Sequence, residues 1–128
     1  MKTIIISIFV AILIIVGALI AVDGGNKTDN TIPVNNVSIE NGKQIITIGA
    51  RGGYSPRKSI AKAGIPTMVR FVTNGTFDCS SSVRIPSLNI SKILPQTGST
   101  DIDLGIQKET KIIGSCGMGM YPFEINFQ

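Results

Sequence analysis

The sequence has no histidine and no tryptophan. Without imidazole there is no histidine general base, no histidine-activated nucleophile and no nitrogen ligand of that kind for a metal. Aromatic residues make up 5% of the chain, too few to build a platform for stacked bases. Charge is sparse as well: 12 Lys and Arg stand against 8 Asp and Glu, a net charge of +4 spread along the chain. That pattern excludes a nucleic-acid-binding stripe. Carboxylates are not grouped as calcium or magnesium would need. Cysteine occurs twice, too seldom for an all-thiolate zinc site, and not as Cys-x-x-Cys on a βα unit. A cysteine nucleophile would have no base at a recognisable spacing, so a binding function without turnover is expected rather than an enzyme.

What the chain has in quantity is aliphatic residues, and they are unevenly placed. Residues 4–22 carry no charge, and their only hydroxyl is Ser7. The run is about as long as the roughly 20 apolar helical residues needed to cross a bilayer core. It lacks the polar face of a soluble helix. Lys2 precedes it and Asp23 follows, which places the N-terminus in the cytoplasm. A cleaved signal segment is the alternative, but Leu19-Ile20-Ala21 does not make a small-x-small cleavage site, and no lipoprotein cysteine follows. Either way, the rest of the chain is exported. The expected organisation is an anchor or signal segment over 1–22, a flexible Asn-, Gly- and Thr-rich linker over 23–43, and one small domain over 44–128. Sequons begin at Asn26, Asn36, Asn74 and Asn89, matches that an Asn-rich chain produces by chance.

The domain reads as all-β. Short β-branched runs recur at 44–48, 57–61, 67–72, 82–85, 89–93, 100–104, 110–113 and 123–127, separated by Gly, Pro, Asn and Ser. In the third run, Val69 and Phe71 face one way and Met68, Arg70 and Val72 the other. Such punctuation predicts an antiparallel β-sandwich, most simply a Greek key. Met68 is expected to fill core, Tyr54 to pack beside the loop or take a turn role, Tyr121 to flank the site or cover the core, and Asp78 to cap a turn. Arg51, Arg57, Lys58 and Lys62 read as a solvated face.

Chemistry concentrates in sulfur. Cys116-Gly117-Met118-Gly119-Met120 would, if extended, put three sulfurs on one face, because alternate residues of a strand point the same way. Cys79 lies in the polar loop Thr76-Phe77-Asp78-Cys79-Ser80-Ser81-Ser82, and a sandwich gathers such loops at one end. Two thiolates with thioethers form a soft set that selects Cu(I); zinc is poorly served by thioether, and Cu(II) by the lack of imidazole. The candidate metal ligands are Cys79, Cys116, Met118 and Met120, with copper as Cu(I). A plain Cys79–Cys116 disulfide in an exported domain is the competing reading. It requires neither methionine nor the interleaved glycines.

The segments Gly53-Tyr54-Ser55-Pro56, Ala63-Gly64-Ile65-Pro66, Phe77-Asp78-Cys79-Ser80 and Ser115-Cys116-Gly117-Met118-Gly119-Met120 resemble the cupredoxin-like domains of copper-handling membrane proteins. Such domains occur alone behind an N-terminal anchor or joined to copper-translocating P-type ATPases. The resemblance covers residues 44–128 and implies a Greek-key sandwich with a metal site at one end. It implies that Cys116 matches the family's cysteine before the last strand and that Cys79 stands where blue-copper proteins have their first histidine. The second histidine is absent, and Met118 or Met120 occupies that loop. The implied role is extracytoplasmic Cu(I) capture, buffering or delivery to a copper-transporting membrane protein. Electron transfer and a metal-free, disulfide-stapled binding module are the alternatives.

Overall fold

The computed structural model describes residues 1–22 and 35–128 and, within the N-terminal helix, the side chains of residues 4–15. The chain divides into two units, 1–32 and 33–128. In the first, helix α1 runs Lys2–Val22. Its described side chains are exposed and, Ser7 apart, apolar. Among the described residues no helix is long and apolar enough to cross a membrane; the described stretch 4–15 is itself shorter than the roughly 20 residues a span requires. Residues 23–34 of the expected linker, with the Asn26 sequon, lie outside the described residues.

The second unit is built from ten strands: β1 Val37–Glu40, β2 Lys43–Ala50, β3 Tyr54–Ser55, β4 Lys58–Ala61, β5 Pro66–Thr73, β6 Ser82–Ile85, β7 Ile90–Ile93, β8 Gly98–Ile106, β9 Thr110–Ser115 and β10 Pro122–Phe127. They form two sheets. One has the order β1-β2-β5-β8, with β3 folded back on β2; the other has the order β4-β10-β9-β6-β7. Most neighbours are antiparallel, while β2/β5 and β4/β10 run parallel. All eight sequence-predicted runs are strands.

The strands alternate because one face of each sheet is buried. Ile46, Ile48, Val69, Phe71, Ile102 and Leu104 from the first sheet pack with Val83, Ile85, Ile112, Phe123, Ile125 and Phe127 from the second. Tyr54, Phe71 and Phe123 meet edge to face with ring centroids 4.9–5.8 Å apart, the preferred geometry for aromatic quadrupoles. Tyr54 is therefore a core residue. Met68 is not: β5 turns Thr67, Val69, Phe71 and Thr73 inward, leaving Met68 half-buried on the outer face. The alternation assigned it that side, and its apolar character did not override the two-residue period.

The expected linker over 23–43 runs too far. Val37–Glu40 pairs with β2 around Asn41-Gly42, whose φ angles of 52° and 76° form the left-handed pair of a two-residue hairpin loop. Asn36 belongs to the fold as well. Its Nδ2 donates to the Thr47 carbonyl in the first sheet (3.1 Å) and to Ser59 Oγ in the second (2.8 Å). Buried Gln44 makes a comparable tie: its amide donates to the Lys62 carbonyl and to Thr67 Oγ1, and its Oε1 accepts from Lys62 N.

Candidate metal centre

Both cysteines lie where strands of the second sheet begin or end. β9 stops at Ser115 and delivers Cys116; Cys79 opens a single 3-10 turn, Cys79–Ser81, that runs directly into β6. The serines and Asp78 account for that turn. Ser81 N and Oγ both donate to the Asp78 carbonyl (3.1 and 2.9 Å), and Ser80 Oγ donates to the Asp78 carboxylate. Side-chain bonds back to nearby backbone are how Ser favours turns over regular structure; Asp78 stands at the N-cap position as expected, but its side chain makes no capping hydrogen bond. The Ser80 hydroxyl holds the Asp78 carboxyl below its ordinary range, outweighing the opposing effect of burial; backbone N–H groups of Gly52 and Ser80 act in the same direction.

Cys79 and Cys116 are joined as a disulfide, Cα to Cα 5.6 Å, across 37 positions of sequence. Cys116 is fully buried within the core, and Cys79 packs against it half-buried. The sandwich thus brings together the two sulfurs that the sequence separates.

The loop after Cys116 is not extended. Gly119 N donates to the Cys116 carbonyl (2.9 Å), closing a reverse turn, and Gly119 takes φ +74°, where glycine carries no Cβ penalty. The alternation of an extended strand does not apply inside a turn. The three sulfurs therefore do not line one face: Cys116 is at 0% exposure, Met118 at 79% and Met120 at 60%. The methionines sit on the cysteine's own loop with their thioethers turned to solvent.

Three neighbours frame the pair. Tyr54 Oη donates to the Ser82 carbonyl (2.8 Å). Burial, reinforced by the negative charge of Asp78, pushes the Tyr54 phenol well above its ordinary value, so it remains a donor. Tyr121 is half-buried against the core and covers Gly53, where an added Cβ would stand 3.6 Å from its ring. Ser82 Oγ accepts from Gly117 N (2.8 Å) and donates to the Cys79 carbonyl (3.2 Å). Sequence reasoning took Ser82 as the end of the Cys79 loop and the start of a strand, with no role at the site. A serine three positions after a cysteine does signal a local side-chain-to-backbone bond, but the partner 35 positions away is visible only in three dimensions.

The donor set fits a soft cation once the disulfide is reduced: two thiols at one point, two exposed thioethers on the adjoining loop, and no imidazole in the chain. Among the described residues no three Cys, Asp or Glu side chains converge, so a hard or zinc-type centre has no counterpart there.

No protein-family model and no curated protein matches the chain. Solved structures do. One is the NMR solution structure of a copper binding protein in the apo form, at 21% identity and a TM-score of 0.66, covering 72% of this chain and 94% of that one. Another is the crystal structure, with Cu(I), of the metal binding domain of the Cu(I) exporting P-type ATPase CopA from Streptococcus pneumoniae D39. It matches at 26% identity and a TM-score of 0.65 over 72% of this chain and 92% of that domain. The β-sandwich inferred from sequence thus has the fold of solved copper-binding domains.

Proposed function

We propose that the chain is an extracytoplasmic Cu(I)-binding protein of the cupredoxin-like, Greek-key type, tethered by α1 and working in copper homeostasis by capture, buffering or delivery to a copper-transporting membrane protein. One observation carries the reading. Cys79 and Cys116 meet at one end of a sandwich similar to a Cu(I) exporter's metal binding domain, and two exposed thioethers follow on the same loop. In the reduced protein Cys79 and Cys116 supply thiolates and Met120 a thioether, with Met118 as a fourth or alternative ligand. Copper supplies no reaction here; it is cargo. The uncharged stretch 4–22 within the Lys2–Val22 helix supports the anchor.

The disulfide itself favours a second reading, a stapled sandwich with no metal. A competition titration separates the two. The full-length chain in detergent is reduced, freed of reductant without oxygen, and set against a chromophoric Cu(I) chelator. One tightly bound equivalent, weakened by both Cys116→Ser and Met120→Leu, is expected. Binding that neither change weakens leaves the staple as the function of the pair.

A further inference from the structure

We propose that Ser82 is the positioning residue of the Cys79/Cys116 pair: its hydroxyl holds the two cysteine-bearing loops together when the disulfide is open. The inference takes its ligand from the copper reading, but its geometry and its first readout do not depend on copper.

The proton count fixes the direction of the bridge. Gly117 N–H can only donate, so Ser82 Oγ accepts from it and spends its single proton on the Cys79 carbonyl. One hydroxyl therefore links the carbonyl of one cysteine to the amide that follows the other. Little else does so at this end. β6 and β9 register at one pair only, Arg84 with Ser115, so the hydroxyl stands where further ladder bonds would otherwise be. Its own backbone is anchored, because the Ser82 carbonyl accepts from buried Tyr54. Gly117 admits the contact; a Cβ there would stand 2.7 Å from Ser82 Oγ.

With the disulfide closed, the covalent bond makes the bridge redundant. With it open, the bridge limits how far two thiols can drift. Disulfide formation and Cu(I) capture both start from that open dithiol. Loosening it must weaken both closures by the same factor, because each closure then has to remove the added freedom of the open loops, whereas a contact that does not limit the drift of the open dithiol would weaken neither.

The first readout is the equilibrium of the full-length chain in detergent with a glutathione buffer. The protein dithiol and glutathione disulfide exchange to protein disulfide and two glutathione thiols, scored by alkylation. Losing two hydrogen bonds, partly replaced by water, Ser82→Ala is expected to shift this equilibrium about tenfold toward the dithiol. Cu(I) affinity should fall by the same factor, and Ser82→Thr, which keeps the hydroxyl, should restore both. Gly117→Ala attacks the same contact from the other loop and serves if Ser82→Ala does not fold. An unchanged glutathione equilibrium overturns the proposal, even if melting temperatures fall in both redox states. A shifted equilibrium in a protein whose wild type binds no Cu(I) upholds the positioning role and sinks the copper reading alone.

Discussion

Gly114 in β9 stands opposite Phe123 in β10, and the ring lies over the bare backbone: an added Cβ would come 2.2 Å from Phe123 Cζ. The ring is 2% exposed and held edge-on by Tyr54 and Phe71, so it has nowhere to withdraw. Gly114→Ala is therefore expected to destabilise the fold by about 1–3 kcal/mol, the usual cost of overpacking, seen as a lower thermal midpoint. Nothing in the sequence marks this glycine among 14. Its partner is chosen by strand register, and the aromatic that covers it comes from the next strand. Met118 and Met120 show the same limit. Their chemistry was legible as sulfur, but their exposure follows from the turn closed by Gly119.

At the scale of elements, the eight expected strands were legible because period-two alternation and turn residues are local signals. β1 was not. Only Val37 of its four residues is even half-buried, so it has no alternation to detect. Asn41-Gly42, a strong hairpin signal, was the evidence available for it. Between β5 and the edge strand β8, Arg70 faces Asp101, with Nε to Oδ1 at 2.8 Å and the second nitrogen to Oδ2 at 3.0 Å. The Arg70 guanidinium holds the Asp101 carboxyl below its usual range. A depressed carboxyl stabilises the fold fully above its unfolded value, about 3.9, and loses that contribution as pH falls through the lower folded value. The stability gap between wild type and Asp101→Asn should thus be widest above about pH 4 and close in stronger acid. Urea unfolding at a series of pH values measures it. A gap that does not vary with pH would mean that the pair acts by hydrogen bonding without its charge.

For the whole molecule, the Cys79–Cys116 link is a covalent constraint added to the strand pairings. It closes a loop across 37 positions, and in the chain-entropy model it stabilises by about 4 kcal/mol. Dithiothreitol should accordingly lower the denaturant midpoint of the full-length chain. Cu(I) added to the reduced protein should recover part of the loss, since a ligand of the folded form stabilises it by mass action, and a Cu(I) chelator should remove that gain. A midpoint unmoved by reduction would show that the core alone holds the two loops.

Composition and local pattern alone determined that the chain is β-rich beyond residue 43, that histidine chemistry is excluded, and that soft sulfur is its reactive resource. These follow from which atoms are present and from spacings of two or three residues. The tertiary structure decided which sulfurs meet, which stay in solvent, and which hydroxyl ties them. Such contacts join residues 35 or 37 positions apart, and only the pairing of β6 with β9 in the second sheet brings those positions within reach.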